Sequence, residues 1–99
     1  MIRKAIVAAL ACAALPAPAQ DSPAARSLAA SCAACHGTDG RSATPEVVAL
    51  AGLPREHIAA QMRAFRDGAR PATIMQQIAR GYSDQQIDLM AEYFSRRPR

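Results

Sequence analysis

Cys32, Cys35 and His36 lie within five residues of one another, in the stretch SCAACHG, and carry most of this chain's capacity for covalent or metal chemistry. Three chemistries compete for that spacing. A disulfide between cysteines three apart on a helix is strained and reducible, which suits a thiol oxidoreductase. Such an enzyme sets the pair after a buried strand, whereas the preceding AARSLAAS is helical in character. Zinc would find three ligands in Cys32, Cys35 and His36 and a fourth in His57 or a carboxylate, but a second ligand pair at zinc spacing is absent. The third chemistry is covalent heme, for which Cys-x-x-Cys-His is the attachment signature.

The heme reading explains the spacing. On a helix, Cys32 and Cys35 face the same way, so two thioethers can clamp one edge of a porphyrin. His36 follows directly and can turn its imidazole toward the iron. The ligand opposite could come from His57, Met62, Met75 or Met90, or the position could stay open. Met62 and Met90 sit on apolar helix faces and read as core; His57 sits among charged residues and reads as exposed. Met75 follows ARPAT, whose Pro71 stops the preceding helix, and it opens a short helical piece. The spacing of 39 residues from His36 to Met75 lets the chain wrap a porphyrin. Met75 is therefore the expected second axial ligand. A methionine opposite a histidine raises the potential and fills the coordination sphere, which suits electron transfer. A heme sensor or small-ligand binder would instead need the sixth position open or labile.

Four helices are expected to position these residues. The first runs from about Pro23 to Cys35, capped by Asp21 or Ser22. HGTDGRSATPEVVALAG reads as loop. The second helix starts near Pro54 and stops at Gly68, with Ile58, Met62 and Phe65 on one face and Arg63, Arg66 and Arg70 on an outer one. The third is a short piece over about 74–80, with Thr73 as cap and Gly81 as stop. The fourth opens with a capping-box pattern at Ser83 and Gln86 and carries Ile87, Met90, Ala91 and Phe94 on one face. No strand pattern or repeat appears, so the domain is expected to be all-α.

The first 19 residues read as a secretory leader: the positive MIRK, an apolar run of eleven residues too short to span a bilayer, then PAPAQ with Ala17 and Ala19 at the peptidase positions. Cleavage is expected after Ala19, which predicts a periplasmic protein with no stable membrane insertion. Cys12 lies in the run, but a lipoprotein signal wants Leu three residues earlier and Ala9 stands there; Cys12 is expected to leave with the leader. Residues 20–99 then form one small domain, with ten arginines against eight acidic residues and a net charge of +2. That is no nucleic-acid charge pattern. Large apolar side chains are few for 80 residues, and so short a chain usually needs a staple; the candidate staples are all in CAACH.

With CAACHGTDGRS and TIMQQIARGYSDQQIDLMAEYF in place, nearly all of residues 20–99 resembles the class I c-type cytochromes. The first segment looks like the heme segment of small bacterial cytochromes whose diheme members repeat the unit twice. The second is similar to the run carrying the methionine ligand in cytochrome subunits of flavocytochrome c sulfide dehydrogenases. The resemblance implies a small class I cytochrome c fold around one covalently attached heme c. It implies Cys32, Cys35, His36 and Met75 as the heme residues, with His36 and Met75 on the iron, and Tyr93 and Phe94 where the last helix crosses the first. The chain departs from the family pattern twelve residues past the histidine, where a proline is frequent and Val48 stands; Pro45 lies at nine. The implied role is an electron carrier with no catalysis of its own. Its implied partner is an FAD-containing sulfide dehydrogenase subunit, or, for a free shuttle, an oxidase or other redox protein. Arg63, Arg66, Arg70 and the tail RRPR are candidates for steering an acidic partner, against a plainer reading as a solvated face and a frayed end.

Overall fold

The computed structural model describes Ala8 and residues 21–99. The leader, its cleavage point and Cys12 lie outside the described residues. Among the described residues five α-helices follow in order: α1 (Pro23–Ala30), α2 (Ala33–His36), α3 (Arg55–Asp67), α4 (Met75–Ala79) and α5 (Asp84–Ser95), with a short 3-10 turn at Thr38–Gly40. No strand occurs among the described residues.

The helix starts follow local chemistry. Ser22 caps α1, its hydroxyl accepting the Ala25 N–H at 3.0 Å, and Pro23 fills the first position where an N–H has no partner. Ser83 caps α5 by the expected box: its side chain accepts from Gln86 N–H while the Gln86 side chain accepts from Ser83 N–H at 2.9 Å. Helix α3 stops where Gly68 takes a left-handed conformation, φ 79°. Thr73 does not cap α4; Ile74 occupies that position with no side-chain bond.

The first helix is not continuous to Cys35. It ends at Ala30 because the Ser31 hydroxyl donates to the Leu28 carbonyl at 3.0 Å and Cys32 N–H bonds back only three residues, to Ala29 O. The chain stays near helical angles through Ser31 and Cys32, so α2 restarts at once.

The core forms where α5 packs against α1 and α3. Ala25 and Ala29 of α1, Ile58 and Ala59 of α3, and Ile87, Met90, Ala91, Tyr93 and Phe94 of α5 make one buried cluster. Ala25, Ala29 and Ala91 are small members of that cluster, and Phe94, 3% exposed, is among its large ones. Burying that ring contributes about 1.5–3 kcal/mol. The rings of Tyr93 and Phe94 meet edge to face, centroids 5.3 Å apart.

Candidate heme site

Cys32, Cys35 and His36 occupy one helical turn. Cys32 is the residue before α2, and its carbonyl accepts from both Cys35 N–H (3.3 Å) and His36 N–H (2.9 Å). Both cysteines are free thiols; Cys32 is half-buried and Cys35 exposed. Burial pushes the Cys32 thiol above its usual range, against a smaller lowering by the Ser31 side chain. A disulfide oxidoreductase needs a thiol shifted the other way. Among the described residues no three Cys, His, Asp or Glu side chains are grouped to hold a metal ion.

The imidazole of His36 is oriented by the main chain. Its Nδ1 lies 2.7 Å from the carbonyl oxygen of Val48, so Nδ1–H donates and the lone pair of Nε2 is left for a ligand bond. The contact comes from the residue twelve past the histidine, although that residue is not proline. The intervening turn explains how. Gly37 takes φ 83°, ψ 170°, a region open to glycine alone, and a Cβ there would strike the Arg41 carbonyl. Asp39 turns through φ 53°, and the Gly40 carbonyl accepts from both Leu50 N–H (2.8 Å) and Ala51 N–H (3.1 Å). Those bonds fold residues 41–53 back over the CAACH turn and set the Val48 carbonyl on the imidazole.

Met75 opens α4 and is half-buried. Helix α4 packs on α3, and Ile74 and Ile78 leave much of their surface exposed, 65% and 40%. Val48 is 62% exposed. The other thioethers and the second imidazole fall as their patterns predict: Met90 is 2% exposed in the core, Met62 packs partly buried against it, and His57 is exposed on α3. Two thiols on one turn and an imidazole with its Nε2 lone pair held free are donors that a c-type heme would use, and the Met75 thioether stands at the head of a separate short helix flanked in sequence by the exposed Ile74 and Ile78.

Two contacts around the site had no local signal in the sequence. The Tyr93 hydroxyl donates to Asp39 at 2.8 Å, across 54 residues, and this bond pushes the phenol above its ordinary range. Ser31 and Tyr82 share a hydroxyl–hydroxyl bond of 3.1 Å across 51 residues. The TDG triplet marks a turn at Asp39, but nothing in it names Tyr93 as its partner.

The arginines are not the free faces their sequence positions suggest. Arg63 reaches Asp84 (3.1 Å) and Asp88 (2.7 Å), and Arg66 reaches Asp84 (2.9 Å), tying α3 to the first turns of α5. Arg70 lies over the Phe65 ring at 4.7 Å. In the tail, Arg97 pairs with Asp21 and stacks 4.3 Å over Tyr93, and Arg96 pairs with Glu92 at 2.6 Å. The tail is docked and not frayed.

The family model described as cytochrome c matches residues 23–96. The chain is 42% identical, over 68% of its own length and 60% of the other's, to the cytochrome subunit of sulfide dehydrogenase from Chlorobaculum tepidum. It is also 42% identical to the thiosulfate dehydrogenase electron acceptor of Thiomonas intermedia, over 69% of this chain and 32% of that protein. With cytochrome c-554(548) of Halomonas halodenitrificans it shares 39% identity, over 65% of this chain and 81% of that one. The chain therefore spans less than two thirds of the first two relatives.

Proposed function

The chain belongs to the class I c-type cytochromes, with covalently attached heme c as cofactor, and from that premise we propose that it carries single electrons in the periplasm as the acceptor subunit of a flavoprotein sulfide dehydrogenase. Cys32 and Cys35 would hold the heme through thioethers, and His36 and Met75 would be its iron ligands. Residues 1–19 are the export leader and residues 20–99 the monoheme domain. When bound, the heme supplies a one-electron ferric–ferrous couple.

The residues of this chain do the rest. Val48 O keeps the proton of His36 on Nδ1, which fixes the tautomer and the plane of the ring. Met75 would hold the iron together with His36, leaving neither oxygen nor sulfide a place on it, and the protein would then transfer electrons without transforming a substrate. Catalysis on sulfide belongs to the flavoprotein partner. The observation that carries the ligand assignment is the His36–Val48 contact, which leaves one imidazole nitrogen as a donor beside two free thiols.

A methionine-to-iron charge-transfer band in the ferric protein, lost in Met75→Ala, is the expected outcome for the axial pair; an unchanged ferric spectrum in that variant defeats it and favours an open-site sensor. Gentle purification from the periplasm tests the partner. A co-eluting flavin polypeptide with sulfide-dependent heme reduction is expected. A second reading, a free shuttle to an oxidase or other redox protein, has one observation in its favour. The chain covers 81% of cytochrome c-554(548), a relative whose name carries no dehydrogenase. A lone red monomer that sulfide and flavoprotein fractions fail to reduce selects it.

A further inference from the structure

We propose that Tyr82 is a positioning residue whose hydroxyl holds the Met75-bearing segment against the CAACH turn and keeps Met75 on the iron. The inference rests on the axial pair proposed above. Residues 68–83 form an arm that leaves α3 at Gly68 and rejoins the bundle at the Ser83 cap of α5, with α4 and Met75 at its middle. Its root is held on α3 by Gly68 N–H to Phe65 O (3.3 Å) and Arg70 N–H to Ala64 O (3.0 Å). Its far end is held by the capping box. Between these anchors, a single hydrogen bond among the described residues links the arm to residues 31–53, which carry Cys32, Cys35, His36 and Val48: the Ser31–Tyr82 bond of 3.1 Å.

The direction of that bond follows from proton counting. The Ser31 hydroxyl has one proton and gives it to the Leu28 carbonyl at 3.0 Å. It therefore accepts from the Tyr82 hydroxyl. Tyr82 is well placed to be a stiff link. Its N–H bonds to Ala79 O at the end of α4 (3.2 Å), its ring packs partly buried against the core, and a phenol has only two side-chain torsions. Ser31 is the residue before Cys32. The bond thus joins the end of the helix that Met75 opens to the start of the turn that holds the other three heme residues.

The test uses the ferric holoprotein. Imidazole is added to wild type, Tyr82→Phe, Ser31→Ala and the double variant, and loss of the methionine-to-iron band gives the rate at which Met75 is displaced. Tyr82→Phe is expected to show the wild-type resting spectrum and displacement faster by about three- to tenfold, the worth of one partly exposed hydrogen bond. In the Ser31→Ala background the Tyr82→Phe change is expected to add nothing. Tyr93→Phe, remote from the arm, serves as the stability control. A wild-type rate in Tyr82→Phe overturns the proposal. So does an acceleration that persists without Ser31, or one that Tyr93→Phe reproduces at an equal loss of melting temperature. Failure of the underlying ligand reading is distinct, since the wild type then lacks the band altogether and Met75→Ala changes nothing.

Discussion

His36 is aimed by a backbone carbonyl, so the side chain that happens to carry that carbonyl is of little consequence. Val48 is exposed, and its role is its oxygen 2.7 Å from Nδ1. Val48→Ala is therefore expected to leave the ferric spectrum unchanged and to alter stability by no more than about 0.5 kcal/mol in denaturant titration. Gly37 is the opposite case. Any side chain there must take a backbone region suited to glycine and must also displace the Arg41 carbonyl. Gly37→Ala is expected to destabilise by about 2–3 kcal/mol and to lower the yield of heme-loaded protein, because the turn that folds Val48 onto His36 is the part disturbed. Tyr93 links α5 to the same turn through Asp39. Tyr93→Phe keeps the ring and deletes the bond, so a loss of about 1–2 kcal/mol is expected by thermal or denaturant unfolding.

Among the elements, α3 and α5 are joined by charge as well as by packing. Arg63 and Arg66 share Asp84, and Arg63 also takes Asp88. Isolated surface pairs contribute little, and these carboxylates are largely exposed; a shared network at a helix N-terminus is the more favourable case. The two arginine side chains hold the Asp84 carboxyl below its ordinary range. A carboxyl whose folded pKa is depressed binds fewer protons than in the unfolded chain, so its contribution is complete above the ordinary aspartate range. It is lost as pH falls through the depressed folded value. Stability is thus expected to decline on the acid side, and Asp84→Asn is expected to flatten that decline while leaving the neutral charge-transfer band in place; melting curves from pH 7 to pH 3 read it. The capping box at Ser83 acts on the same end of α5, setting the helix start from which the Met75 arm is measured.

At the scale of the whole molecule the protein core is small. Among the described residues, six of the eleven buried apolar ones are alanines, and the larger ones are Ile58, Ile87, Met90, Tyr93 and Phe94. A domain of this size with so few large buried side chains needs a further constraint. Covalent heme, attached at the CAACH turn as proposed, would provide it as an apolar group for the later helices to pack against. The Cys32→Ala/Cys35→Ala variant is expected to lose cooperative unfolding, read by near-ultraviolet circular dichroism, while retaining part of its helical signal. The tail adds a second closure. Arg97 brings Asp21, ahead of α1, to the end of α5, and Arg41 donates to Pro98 O at 3.3 Å, so both ends of the domain meet beside the turn.

Much of this protein was legible in order along the chain. Helix starts at Ser22 and Ser83, the stop at Gly68, the apolar stripe of Ile87, Met90, Ala91 and Phe94, and the CAACH motif depend on residues within one or two turns of each other. Local hydrogen bonding and helical periodicity are enough to reveal such features. The family likeness of residues 32–42 and 73–94 is carried by the same short-range patterns. What only the tertiary structure decided are the contacts between residues far apart in sequence. The docked arginine tail and the Asp39–Tyr93 bond depend on where α5 lays its side chains, the Ser31–Tyr82 bond on where the Met75 arm rejoins the bundle, and the choice of Val48 O for His36 on the glycine turn that folds residues 41–53 back. A single sequence specifies each partner's chemistry but not its neighbour. The packing of three helices around a few alanines brings those partners within hydrogen-bond reach.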